Sequence, residues 1–221
     1  MIALWFTTTK LSAQPCVVPS VMEYDELNVP ETFHFDSTTS VVCYDKTLNT
    51  TTKQLREILH HLTGFNLPTT QNKKGTNIIL VVDREIPLND HGYWINIVPN
   101  RILISGATTE AVQYGVTTFL QLFVNGWTED KYCNLPVMSI NDEPTTINRV
   151  ISVSNPQLQA WAWLFKFSEI NIDEQHTDVI RQIDKLMLQA EKMWCTEGTA
   201  YPCNVDTTRL NTLVEAIRKI L

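Results

Sequence analysis

The spacing of apolar residues changes several times along the chain, and each change predicts an element. Between residues 15 and 48, Phe33 and Phe35 flank His34, and Val41, Val42 and Tyr44 form a second β-rich run, so short strands separated by proline turns are expected. Leu55, Ile58, Leu59 and Leu62 then recur at helical spacing, with a cap region at 49–52 and Gly64 where a glycine stop belongs. Residues 77–82 (NIILVV) are continuously apolar, the pattern of a strand buried on both faces. Residues 93–98 (YWINIV) and 101–105 (RILIS) flank Pro99-Asn100 and read as a hairpin. After Thr108, the positions Ala111, Val112, Gly115, Val116, Phe119, Leu120, Leu122 and Phe123 mark a helix with a wide apolar face. Gly115 in its middle costs about 1 kcal/mol relative to alanine, and predicts a close approach to the sheet. Residues 135–140 (LPVMSI) read as one last strand.

This order predicts an α+β domain over 15–150, a mixed β-sheet with two helices packed on one face. Beyond Pro156 the pattern turns helical. Residues 157–168 are apolar almost all round, and 173–194 and 206–221 carry apolar stripes at helical spacing. Each stripe needs a partner, so 151–221 is expected to be a small all-helical C-terminal appendage. Trp161, Trp163, Phe165 and Phe167 are the candidates for covering the contact surface of the α+β domain, which another copy or a partner could cover instead; an ordinary local core is the alternative reading of these residues.

Composition narrows the function. An apolar share of 43% supports a real core, and 17 Lys+Arg against 24 Asp+Glu give a net charge of −7, which argues against a nucleic-acid surface. The closest of the seven glycines, Gly106 and Gly115, are too far apart for GxGxxG, a P-loop or GxSxG. HExxH and CxxC are absent, and His60-His61 reads as a helix-surface pair, so no metal and no cofactor are expected. No run is long enough to span a membrane. Residues 1–14 open with MIALWF and end Ser12-Ala13-Gln14, which reads as the tail of a secretory signal cleaved after Ala13; an N-terminal strand is the alternative. Export would permit disulfides. Cys195 and Cys203 bracket a loop short enough to close with one, and two unpaired thiols are the alternative.

The most specific motifs lie in 91–123, HGYWINIVPNRILISGATTEAVQYGVTTFLQLF, and 135–149, LPVMSINDEPTTINR. Gly92-Tyr93, residues 101–106, Tyr114-Gly115, residues 118–122, Leu135-Pro136, Ile140, Asp142, Pro144 and Arg149, with Leu62-Thr63-Gly64-Phe65 upstream, resemble the N-terminal domain of the bacterial β-N-acetylhexosaminidases of glycoside hydrolase family 20. That domain is similar to the one preceding the barrel of family 84 O-GlcNAcases. The resemblance covers roughly 15–150 and implies a zincin-like α+β domain that is not itself the catalyst. In the family a (β/α)8 barrel follows, and residues 151–221 are far fewer than the roughly 200 such a barrel needs at the least.

The resemblance also says where chemistry should sit. Family catalysis is substrate-assisted, with an Asp-Glu pair at a strand end resembling HxGGDE. The dipeptides Asp25-Glu26, Asp142-Glu143 and Asp173-Glu174 lack that context and are read as exposed turn acids, leaving no catalytic residue. Arg149 aligns with the sugar-contacting arginine that opens the first barrel strand, although Val150 replaces the following glycine and Ser154 the aspartate. It is therefore a vestigial substrate-binding position, with a structural or surface arginine as the alternative. Residues 188–194 (LQAEKMW) resemble the AE.LW helix near the end of the family's barrels. The expected function is a non-catalytic accessory or scaffold domain, exported and associated with glycan processing. Its partners would be a protein or a second copy met through the C-terminal helices, or a glycan. A carbohydrate-binding module is one alternative, favoured by a coplanar exposed pair among Trp5, Trp94, Trp127, Trp161, Trp163 and Trp194. A truncated or split hexosaminidase that acts with a separate barrel is the other.

Overall fold

Ten strands and five helices are found in the computed structural model, which describes residues 16–71, 75–128, 132–153, 156–172, 179–194 and 206–221. The strands are β1 (Glu23–Glu26), β2 (Thr32–Phe35), β3 (Ser40–Cys43), β4 (Asn77–Val82), β5 (Tyr93–Val98), β6 (Arg101–Gly106), β7 (Cys133–Pro136), β8 (Met138–Asp142), β9 (Val150–Val153) and β10 (Glu169–Ile172). The helices are α1 (Asn49–Thr63), α2 (Thr109–Gly126), α3 (Pro156–Leu164), α4 (Val179–Trp194) and α5 (Thr207–Arg218).

Six strands form a mixed sheet in the order β1-β8-β5-β6-β4-β3. β3, β4 and β6 run parallel, while β6-β5, β5-β8 and β8-β1 pair antiparallel. Period-two alternation places Ile78, Tyr93, Ile95, Ile104 and Ile140 on the face beneath α1 and α2, all fully buried. The expected α+β sheet with two helices on one face is therefore present. Gly64 ends α1 at φ +80, with its N–H on the His60 carbonyl, as the sequence predicts. The Thr108 side chain caps α2 by accepting from the Ala111 N–H.

Gly115 is where α2 lies closest to the sheet. A Cβ there would fall 2.6 Å from Ile104 Cγ2 and 3.1 Å from the Tyr93 ring. Gly115→Ala gains helix propensity of about 1 kcal/mol, yet overpacking of about 1–3 kcal/mol outweighs it. The expected result is a lower urea midpoint; a higher one would mean that α2 slides freely on the sheet.

Two expectations need correction. Residues 135–140 are not one strand. The chain breaks at Val137, so β7 pairs antiparallel with β2 in a separate two-stranded sheet while β8 joins the main sheet. Pro136, which has no N–H to continue a ladder, stands at the break. The C-terminal region is also not all helical. β9 and β10 pair in parallel, joined across α3 in a β-α-β unit. These four-residue strands are too short to declare themselves beside the strongly apolar α3.

The C-terminal region packs on the helices of the α+β domain. α5 packs on α1, α2 and α3. Trp161, Phe165 and Phe167 are buried, Trp163 is half-buried, and all four join the same apolar core as the sheet. The segment before β1 is fastened between the two regions. Gln121 donates to the Val18 carbonyl (2.7 Å) and accepts from the Val18 N–H (2.8 Å), while Glu191 on α4 accepts from the Ser20 N–H at 2.9 Å.

Candidate functional site

Charged groups converge under the C-terminal end of β8. Met138, Ile140 and Asp142 alternate onto the buried face, so period two carries the Asp142 carboxylate inward with them. Asp142 and Lys166 are both 0% exposed, with Lys166 Nζ 3.1 Å from Asp142 Oδ2. The same oxygen accepts from Trp194 Nε1 at 2.8 Å and from the Tyr93 hydroxyl, and Oδ1 accepts from the Met22 N–H at 3.1 Å. Lys166 also donates to the Tyr93 hydroxyl at 2.8 Å and lies over the Tyr93 and Trp194 rings. A buried carboxylate is tolerable only with such a set of donors.

Local backbone geometry aims Lys166. It follows α3 at φ +63, in the left-handed region. The Phe167 N–H bonds the Ala162 carbonyl and the Lys166 N–H bonds the Trp163 carbonyl, the pattern of a Schellman cap whose turning residue is usually glycine. A side chain in that conformation costs roughly 1–2 kcal/mol. The chain bears this cost where the lysine ammonium meets Asp142, so the strain locates the functional demand.

Arg149 forms the second half of the cluster. It is 1% exposed. Its Nε donates to the Lys166 carbonyl at 2.9 Å, and its Nη1 donates to the carbonyls of Thr146 (2.8 Å) and Ile147 (2.9 Å). The guanidinium lies 4.8 Å from the Tyr114 ring centre and 4.9 Å from that of Trp194. Its Nη2 is buried without a hydrogen-bond partner among the described residues. Burial, and then the hydrogen bond to Glu110, hold the Tyr114 phenol well above its ordinary pKa, so it stays neutral. The N–H groups of Thr145 and Thr146 bond the Trp194 and Met193 carbonyls, which closes the C-terminal end of α4 on the β8–β9 connection.

The reading of all three acidic dipeptides as exposed turn acids fails for Asp142, because Met22, Tyr93, Lys166 and Trp194, from four distant parts of the chain, close over it. Glu143 is half-buried and accepts from the Asn89 N–H at 2.7 Å. Asp25 and Glu26 lie on the edge strand β1, and Asp173-Glu174 lies outside the described residues. Sequence reasoning missed Lys166 and Trp194 as partners of Asp142. Period two along residues 138–142 could have flagged the buried acid; nothing local could have named its partners.

The remaining candidates are dispersed. His60 and His61 sit exposed at the end of α1, and among the described residues no group of three or more His, Cys, Asp or Glu is placed to hold a metal. No helix among the described residues is long and apolar enough to cross a membrane. Trp94 is 40% exposed, Trp127 and Trp163 are half-buried, and Trp161 and Trp194 are buried, so the described residues hold no exposed tryptophan pair; Trp5 lies outside them. Cys16 is disulfide-bonded, while Cys43 and Cys133 are free thiols, that of Cys133 pushed up to about 12 by burial. Cys195 and Cys203, the candidates for a disulfide, lie outside the described residues.

Comparison with known proteins follows the fold. A family model described as glycosyl hydrolase family 20, domain 2, matches residues 14–143, more than half of the chain. The GH20 exo-β-N-acetylglucosaminidase of Vibrio harveyi, solved in complex with N-acetylglucosamine, superposes with a TM-score of 0.58 at 16% identity, over 79% of this chain and 34% of that one. The GH20 β-N-acetylhexosaminidase of Streptomyces coelicolor A3(2) gives 0.58 at 19% identity, over 70% of this chain and 33% of that one. The Flavobacterium johnsoniae chitobiase gives 0.50 at 17% identity, over 79% and 33%. At such identities the likeness establishes the fold alone, and the chain spans about a third of the length of these enzymes. A likeness over 79% of the chain extends past residue 143, into the β9–α5 region. No curated protein matches the sequence.

Proposed function

The chain belongs to glycosyl hydrolase family 20 through its domain 2, and from that premise we propose that it serves as a non-catalytic accessory or scaffold domain associated with glycan processing. The observation that supports this most is the closure of the Asp142 cluster. Its carboxylate and the Lys166 ammonium neutralise each other out of contact with solvent, and the Arg149 guanidinium is held by carbonyls and ring faces. A general acid needs its proton within hydrogen-bond reach of a substrate, and nothing outside the protein can reach these groups. In this reading Arg149 has a structural role, fixing α4 to the β8–β9 connection. The pure protein is expected to give no turnover of an aryl N-acetylglucosaminide above the heat-inactivated control. Turnover that survives repurification and is lost in Asp142→Asn would overturn the proposal.

A second reading has one specific observation in its favour. β9, α3 and β10 make a parallel β-α-β unit that begins beside Arg149, where the family resemblance places the first barrel strand. A separately encoded chain carrying the rest of a barrel would pair with it. Co-expression with such a chain should then produce a stable complex with hexosaminidase activity, and separate migration of the two on a sizing column would exclude this reading.

We further propose export. The disulfide at Cys16 suits an oxidising compartment, and cleavage after Ala13 would leave the segment fastened by Gln121 and Glu191 intact. N-terminal sequencing of the protein recovered from outside the cytoplasm is expected to start at Gln14. A start at Met1 in the cytoplasmic fraction would contradict export.

A further inference from the structure

A cavity of about 500 Å3 lies where α1, α2 and α5 meet, and no part of the Asp142 cluster lines it. Its volume falls in the range of about 300–1,000 Å3 typical of small-ligand sites, which favour junctions between structural units. Leu62, Phe123 and Trp127 supply apolar lining, and Thr128, Thr212 and Arg209 supply polar edges. The Trp127 ring is fixed in place: Phe123 stacks on it at 5.3 Å, and Phe35 and Phe65 meet it at steep angles.

Arg209 is half committed. Its Nη1 donates to the Val124 carbonyl at 3.0 Å and to that of Asn125, at the C-terminal end of α2, and its Nε lies 3.4 Å from Asp206 Oδ2. Its Nη2 makes no hydrogen bond among the described residues, so its two N–H groups remain for an incoming oxygen. Thr212 donates to the Thr208 carbonyl and Thr128 to the Tyr132 carbonyl, and each hydroxyl oxygen keeps acceptor capacity.

We infer that this cavity is a saccharide-binding site. A sugar ring offers an apolar C–H face and a rim of hydroxyls, and the lining alternates in the same way: a fixed indole, aliphatic and phenyl groups, then hydroxyl acceptors and one guanidinium donor. A fatty acid would match the apolar lining but leave the threonine edge unused. The Arg209 charge is already balanced by Asp206 and by helix carbonyls, which favours a neutral ligand. The inference goes beyond the accessory reading and stands apart from it, since absence of turnover says nothing about occupancy here.

The test is an NMR titration of the full chain with chitobiose, cellobiose and decanoate in parallel. The inference predicts saturable shifts of the Trp127 indole and of the Thr128 and Thr212 amides with at least one disaccharide, and none with decanoate. Thr212 is exposed, so Thr212→Trp can fill the cavity without disturbing the core. It should weaken binding by about tenfold or more, a loss of at least ~1.4 kcal/mol, with an unchanged melting temperature. Arg209→Gln, which removes the free donor, should weaken it as well. No saturable shift with either sugar, shifts centred on Trp94, or decanoate binding alone would each overturn the inference. Loss of catalytic silence in the aryl-glycoside assay would instead strike the accessory reading and leave this one standing.

Discussion

Lys166→Gly is expected to destabilise the protein, although position 166 has the backbone conformation that glycine prefers. With φ at +63 the substitution relieves roughly 1–2 kcal/mol of strain. It also leaves the Asp142 carboxylate buried without its cation, and breaking a buried pair from one side costs about 3–5 kcal/mol. The net loss is about 1–4 kcal/mol, a large share of the 5–15 kcal/mol that holds a typical domain folded. Urea unfolding followed by far-UV circular dichroism would measure it. Adding Asp142→Leu should recover part of the loss, because the double variant buries no unpaired charge. A stabilised Lys166→Gly protein would show that the lysine is incidental at this turn.

Trp194→Ala carries a comparable effect from the other side of the joint. Trp194 is 1% exposed, its Nε1 donates to Asp142, its ring meets Tyr114 at 82°, and the Arg149 guanidinium lies over it. Truncating a buried tryptophan costs about 3–5 kcal/mol. Here the loss should be felt in both regions, because the ring joins α4 to β5, α2 and β8 at once. Tryptophan fluorescence and circular dichroism should shift together to a lower denaturant midpoint. A normal midpoint for the sheet with early loss of α4 alone would mean that the C-terminal region is only draped on the domain.

These residues also mark what the sequence made legible. α1, α2 and the β5–β6 hairpin were readable because each carries its own period and its own stop: Gly64 closes one helix, Thr108 opens the other, and Pro99-Asn100 turns the hairpin. β7 and β8 merged into one run because LPVMSI is apolar throughout, and only the pairing partners show that the chain changes sheet at Val137. Asp142 reads as an exposed turn acid because it lacks the HxGGDE context, while its two-residue spacing from Ile140 and Met138 already places it inward. Lys166 could not be foreseen, since a left-handed cap is normally announced by glycine or asparagine. The ion pair that joins residues 142 and 166, with Trp194 beyond both, is a tertiary fact with no local periodicity behind it.

As a sealed joint, the Asp142–Lys166–Trp194 cluster makes the sheet domain and the C-terminal region one cooperative body. Native-state hydrogen exchange resolves this directly, by comparing the amides of β8 with those of α4. The slowest amides of both elements are expected to share one opening free energy, and Lys166→Gly to lower the two by the same amount. Exchange of α4 at a separate, lower free energy that Lys166→Gly leaves unchanged would contradict it.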